Sequence, residues 1–195
     1  MSHYFENDDN LVSNIQDYEL FFENVNFSFS TDNGVFSKGK IDFGTNLLIR
    51  NALKKSMSGD ILDLGCGYGV IGIVLKKLRD INVTMIDVNK RAVHLTKMNA
   101  KKNNVLVNAL VSDGFENINS QFDFIISNPP IRVGKQKLYE LVLDMKNYLK
   151  KDGEIFLVIR KEQGALSFIR DMNVYYSVKT IDKDKGFLII SLKNN

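Results

Sequence analysis

Three short stretches carry residue types whose order and spacing suit chemistry. The first is Asp60-Ile61-Leu62-Asp63-Leu64-Gly65-Cys66-Gly67-Tyr68-Gly69, an apolar run that meets an acid and then three glycines. Glycine lets the backbone turn sharply and lets a ligand come within contact distance of the main chain, so a pocket is expected at the carboxyl end of this strand. The second is Asp87, which closes the apolar run Val83-Thr84-Met85-Ile86 about one strand-helix-strand unit downstream. A carboxylate at that place accepts the hydroxyls of a ribose. The third is Ser127-Asn128-Pro129-Pro130-Ile131-Arg132, where two consecutive prolines fix the backbone and remove two donors, leaving a rigid loop of acceptors.

The literal spacing Gly67-x-Gly69-x-x-Gly72 would by itself suggest a dinucleotide, but its first glycine falls too far past the strand. Asp63 also sets a carboxylate where a pyrophosphate would be repelled. A ligand with an ammonium group and no phosphate suits that acid, and the amino-acid end of S-adenosylmethionine (SAM) is such a ligand. Asp113 is expected to accept from an adenine amino group, with Val88 against the ring. The side-chain oxygen of Asn128 and the carbonyl of Pro129 would accept both N–H bonds of a planar amine, turning its lone pair toward a methyl donor.

Taken together, Asp63-Leu64-Gly65-Cys66-Gly67-Tyr68-Gly69, Asp87 and Asn128-Pro129-Pro130 resemble the class I SAM-dependent methyltransferases that modify exocyclic or amide nitrogens. Thr31-Asp32-Asn33-Gly34-Val35-Phe36-Ser37, followed by Asp42-Phe43-Gly44-Thr45, resembles the methyltransferase small domain family, which includes bacterial 16S ribosomal RNA guanine-N2 methyltransferases. The resemblance runs from about Phe27 over nearly the whole chain. It implies a Rossmann-like fold with a seven-stranded, mostly parallel sheet ending in an antiparallel hairpin. It also implies SAM as methyl donor and guanine of ribosomal RNA, in the small subunit, as acceptor. Asp63, Gly65, Cys66, Gly67, Gly69, Asp87, Val88, Asp113 and Asn128 would then contact the cofactor, and Asn128, Pro129 and Pro130 would be catalytic. Phe36, Ile131, Arg132 and Lys135 are expected on the substrate side. Many relatives carry an aromatic residue after the double proline; Ile131 stands there in this chain, which makes Phe36 the candidate stacking face. Family members with an established guanine target resemble a duplicated architecture, of which this sequence carries one copy.

These residues need a scaffold that brings strand ends together, and the pattern beyond Asp60 supplies one. Apolar runs at 61–64, 83–86, 105–111, Phe122–Ser127 and 154–159 alternate with helical periodicity at Val70–Leu78, Lys90–Lys102 and 138–149, the signature of a parallel sheet with covering helices. Segments 174–181 and 187–192, joined by Asp182-Lys183-Asp184-Lys185-Gly186, predict a closing hairpin. A smaller hairpin is expected from 18–22 and 25–29 around Glu23-Asn24, with Phe21, Phe27 and Phe29 as its apolar contribution. We read residues 1–195 as a single methyltransferase domain, with 1–45 as an extension on the substrate side and 46–195 as the SAM-binding core.

Composition narrows the function classes. Hydrophobic residues are 44% and charged residues 25% of 195, the balance of a globular chain. No run approaches a membrane span and no signal precedes the core, so a cytoplasmic location is expected. Cys66 is the only cysteine, and His3 and His94 lack partners at ligand spacing, so no metal is expected. The net charge of +3 permits a polyanionic partner without demanding one. Arg132, Lys135, Lys137, Arg160, Lys161, Lys38 and Lys40 are the candidate phosphate contacts. An unpaired or flipped RNA base is the preferred substrate. A glutamine side-chain amide and a non-catalytic RNA-binding assembly role are the alternatives, and oligomeric state is left open.

Overall fold

The computed structural model describes residues 11–130 and 134–195; the expectations for Ile131 and Arg132 fall outside them. A two-stranded ribbon, β1 (Gln16–Phe22) and β2 (Val25–Thr31), precedes helix α1 (Phe43–Lys54). The alternating core follows: β3 (Gly59–Leu64), α2 (Val70–Leu78), β4 (Ile81–Asp87), α3 (Lys90–Lys102), β5 (Asn108–Val111), β6 (Phe122–Ser127), α4 (Lys135–Met145) and β7 (Leu149–Arg160). Helix α5 (Ala165–Met172) leads to the final pair, β8 (Tyr176–Asp184) and β9 (Phe187–Asn194). The seven sheet strands lie in the order β5-β4-β3-β6-β7-β9-β8. Pairing is parallel from β5 to β7, and β9 runs antiparallel to both β7 and β8. The seven-stranded sheet with its antiparallel close is the one expected from the sequence.

The central strands read as continuous apolar runs because both sheet faces are covered. Ile61, Leu62 and Leu64 of β3 and Ile155 to Ile159 of β7 are all buried. One face packs against α1, α2, α3 and the ribbon; the other packs against α4 and α5.

The ribbon is fixed to α3 and its C-cap by two asparagine amides one helical turn apart. Asn99 accepts from Ser30 N at 2.7 Å and donates to Ser30 O at 2.9 Å. Asn103 accepts from Ser28 N at 3.1 Å and donates to Ser28 O at 2.8 Å. The two side chains thus serve β2 as a neighbouring strand would. Phe27 and Phe29 are fully buried, and Phe29 lies 6.0 Å edge-on to Tyr68, in the turn that follows β3.

Several boundaries depart from the sequence reading. Phe21 is not part of the apolar contribution: it is 67% exposed, while its neighbours Leu20 and Phe22 turn inward. With apolar residues at 20, 21 and 22, period-two alternation does not choose the face; ribbon packing does. Only 108–111 of the run at 105–111 is strand. Val105 and Val107 pack on the core from a loop, and Leu106 is 88% exposed. The helix read at 138–149 starts at Lys135 and passes at Met145 into a short 3-10 turn, so Leu149 belongs to β7. The hairpin read from 174 starts at Tyr176 and extends to Asn194. Helices α1 and α5 had no counterpart in the sequence reading.

Phe29→Ala should lower stability by about 3–5 kcal/mol, because it empties a fully buried aromatic site. Denaturant unfolding with an unchanged slope checks this; a loss below about 1 kcal/mol would mean the ribbon contributes little to the core.

Candidate active site

Strand register brings the three sequence stretches to one level. Leu64 pairs with Ile86, and Asp63 pairs with Ile126. One step further along each strand stand Gly65, Asp87 and, across β6, Asn128. Adjacent strands are about 4.8 Å apart, so these residues span roughly 10 Å at the carboxyl edge of the sheet.

The turn after β3 crosses toward β4 at once: the backbone N–H groups of Gly65 and Cys66 both donate to Ile86 O at 2.9 Å. Gly65 and Gly67 have φ of 70° and 57°, and a β-carbon on either would meet no atom within 4 Å. The left-handed backbone therefore lines an open hollow that side chains leave clear. Gly69, also left-handed, caps the start of α2. Asp87 braces the same turn, its Oδ2 accepting from Gly67 N at 2.8 Å and its Oδ1 from Asn89 N at 2.9 Å. Burial pushes the Asp87 carboxyl up from its ordinary range, opposed by backbone N–H bonds from Asn89, Gly67 and Val88.

Asp63 lies beneath the hollow and is 1% exposed. One oxygen accepts from Gly72 N at 2.9 Å, while Oδ1 has no hydrogen-bond partner. Burial raises its pKa to about 7; the Gly72 N–H lowers it and the Asp87 charge raises it further. A buried carboxylate with one unmatched oxygen is costly alone and suits a cationic group of a ligand. The Cys66 side chain is buried, with Sγ 3.6 Å from Thr96 Oγ1, and burial, then the Asp63 and Asp87 charges, raise the thiol pKa well above its usual value. Any contact from Cys66 to a ligand in the hollow therefore belongs to its backbone.

At the end of β6, Ser127 Oγ donates to Leu64 O at 2.7 Å and ties the acceptor loop to the strand beneath the hollow. Asn128 Nδ2 donates to Thr45 Oγ1 at 2.8 Å and Asp42 Oδ2 at 3.1 Å. Asn128 is part-buried, Pro129 is buried and Pro130 part-buried. The two partners of Asn128 belong to the start of α1, where Asp42 is the N-cap, accepting from Gly44 N at 2.9 Å and Thr45 N at 3.0 Å. Sequence reading noted Asp42 and Thr45 without giving them a role. The available signal was an N-cap acid ahead of the apolar Leu47-Leu48, which predicts a helix start.

Phe36 is brought to the same edge by the β4 loop, since Asn89 Nδ2 donates to Gly34 O at 2.9 Å. Val35 is buried there and Phe36 is 40% exposed. Val88 is part-buried and Asp113 is exposed just beyond β5. Lys135 turns toward α5, pairing with Asp171 at 3.3 Å and lying over the Tyr139 ring at 4.9 Å. Its charge is thus shared with α5, while its side chain stays 65% exposed. Among the described residues, no group of three or more His, Cys, Asp or Glu is placed to hold a metal, and no helix is long and apolar enough to cross a membrane.

A glycine-lined hollow over a buried acid, a second acid one strand away and an Asn-Pro-Pro loop on the other side define a class I SAM-dependent methyltransferase. Residues 26–191 match the methyltransferase small domain, and the chain belongs to that family. It is 40% identical to the uncharacterized protein YbxB of Bacillus subtilis, over 98% of each chain. It is 32% identical to the ribosomal RNA small subunit methyltransferase C of Colwellia psychrerythraea, over 91% of this chain and 52% of that one. Among solved structures it resembles the T. thermophilus 16S rRNA N2 G1207 methyltransferase in complex with AdoMet and guanosine. There the TM-score is 0.82 at 22% identity, over 93% of this chain and 51% of that one. The chain thus spans about half the length of these named ribosomal RNA methyltransferases. SAM is the cofactor of this fold, and the unmatched Asp63 oxygen and the open glycine turn fit its ammonium-bearing end.

The raised Asp63 pKa has a direct test. Its stability contribution is full below the unfolded value of 3.8 and is lost as pH rises through about 7. A cationic ligand favours the ionised form, so binding SAM at about pH 6 should release a proton that Asp63→Asn does not release. Calorimetry in buffers of different ionisation enthalpy measures this; equal release by both proteins would remove Asp63 as its source.

Proposed function

We propose that this chain methylates the exocyclic N2 amine of a guanine in 16S ribosomal RNA. The observation that carries the reading is the acceptor loop: Asn128 has its Nδ2 engaged by Thr45 and Asp42, which leaves Oδ1 as the amide's acceptor in the loop that also carries the Pro129 carbonyl. Two acceptors without a competing donor match the two N–H bonds of a planar amine. Similarity to the guanosine-bound 16S methyltransferase over 93% of the chain supports guanine as that amine's source.

In this reading SAM supplies a sulfonium methyl. Asp63 takes its ammonium group, Gly65, Cys66, Gly67 and Gly69 line its amino-acid end, Asp87 accepts the ribose hydroxyls, and Val88 and Asp113 meet the adenine. Asn128 Oδ1 and the Pro129 carbonyl hold the target nitrogen with its lone pair toward the methyl. When bound, SAM would give its methyl to that nitrogen and depart as the neutral thioether, and the surplus amine proton would pass to water. Positioning and electrostatics carry the step. Pro130 keeps the loop rigid and Phe36 stacks on the flipped base, with Ile131, Arg132 and Lys135, next in sequence, as candidate RNA contacts. The chain acts as one unit, residues 1–45 facing the substrate and 46–195 holding SAM, in the cytoplasm where ribosomal subunits are assembled.

Asn128→Ala should lower methyl transfer by about 100-fold or more while SAM affinity stays within about two-fold. Asp87→Ala should weaken SAM binding by about ten-fold or more, because charge-assisted bonds to two hydroxyls are lost. Radiolabelled methyl transfer to ribosomal RNA, to 30S subunits and to release factor from cells lacking the gene decides the substrate. Label mapped to an N2-methylguanine supports the proposal, and label in protein redirects it to a glutamine amide. Measurable SAM binding without label would favour an assembly factor.

A further inference from the structure

Asp42 and Thr45 bond the Asn-Pro-Pro loop from a helix start 83 to 86 residues earlier in the chain. We propose that they are positioning residues that fix which end of the Asn128 amide faces the reacting nitrogen. The inference rests on the reading that Asn128 Oδ1 accepts from the target amine.

The two ends of an asparagine amide have nearly the same shape and opposite chemistry: one oxygen acceptor and one NH2 donor. Turned one way, Asn128 receives an N–H from the amine; turned the other, it sets donor against donor. Something must choose, and the loop itself offers little, since Pro129 and Pro130 have no N–H with which to bond Oδ1. The choice is made at the opposite end. Asp42 is an acceptor when ionised. Thr45 donates its hydroxyl hydrogen to Asp42 Oδ2 and so presents only lone pairs to Asn128. Nδ2 meets both, at 3.1 and 2.8 Å. A flipped amide would put Oδ1 against two acceptors and leave the Asp42 lone pair unmatched, in a place where Thr45 is 5% exposed. Asp42 is itself immobilised by the N–H groups of Gly44 and Thr45, so the first turn of α1 transmits its position to the catalytic loop.

Asp42→Asn weighs this role against helix capping. Asparagine is as good an N-cap residue as aspartate, keeping the acceptor for Gly44 N while giving up the one for Thr45 N, and its NH2 group in place of Oδ2 can stabilise the flipped Asn128. Thr45→Val removes the hydroxyl at similar volume, and Thr45→Ser restores it. The full chain is compared in two readouts. In kinetics on ribosomal RNA, Asp42→Asn and Thr45→Val should lose about ten-fold or more in kcat, with KM, SAM affinity and melting temperature little changed, and Thr45→Ser should stay close to wild type. In substrate-free NMR, the Asn128 side-chain NH2 resonances, assigned by their loss in Asn128→Ala, should shift in the two damaging variants and not in Thr45→Ser. Unmoved resonances, or an unchanged kcat in Asp42→Asn despite moved ones, would overturn the inference. A wild-type protein that methylates no RNA would overturn the substrate reading alone, because the resonances still decide the clamp.

Discussion

The parallel pairing of β3 with β4 on one side and β6 on the other is the constraint on which the site depends. With Leu64 opposite Ile86 and Asp63 opposite Ile126, three loops leave the sheet at one height. A slip of one residue would turn every side chain of a strand to the other face. Both faces here are filled by helices, so the register is held by the whole core. The chemistry of the edge follows from a buried pattern of valine, leucine and isoleucine that takes no part in it.

Two attachments then join the amino-terminal segment to that edge. The asparagines of α3 hold β2, and Asn99 also donates to Tyr68 O at 2.8 Å, which links the ribbon to the turn that lines the hollow. The start of α1 meets the loop after β6 through Asp42 and Thr45. The glycine turn and the Asn-Pro-Pro loop are therefore each tied to the segment that precedes the sheet in sequence, the first through Asn99 and the second directly.

Most of this was legible where one local signal sufficed. The apolar runs of β3, β4, β6 and β7 and the glycine turn carry their own signature, because burial on both faces and left-handed backbone each restrict residue choice. Helix α1 was hidden by Gly44, Thr45, Asn46 and Asn51, poor helix formers whose positions are decided by contacts elsewhere. Gly44 has Phe187 against it, where a β-carbon would come within 2.7 Å of the ring, and Asn51 donates to Asp182 at 2.7 Å. The pairing of Asp42 with Asn128 was illegible for the same reason: a cap is a local pattern, but the second group it bonds arrives through the tertiary fold. Phe21 shows the smaller limit, where three apolar residues in a row leave the inward face to be chosen by the neighbours.

The asparagine pair on α3 has a consequence for behaviour at high concentration. A two-stranded ribbon presents unpaired N–H and C=O groups along its sides, and such edges recruit strands from other molecules. On β2 the groups of Ser28 and Ser30 are already satisfied by amides anchored to a helix. An intruding strand would have to displace those bonds before gaining its own. The same polar residues that seat the ribbon thus act as a guard against aggregation.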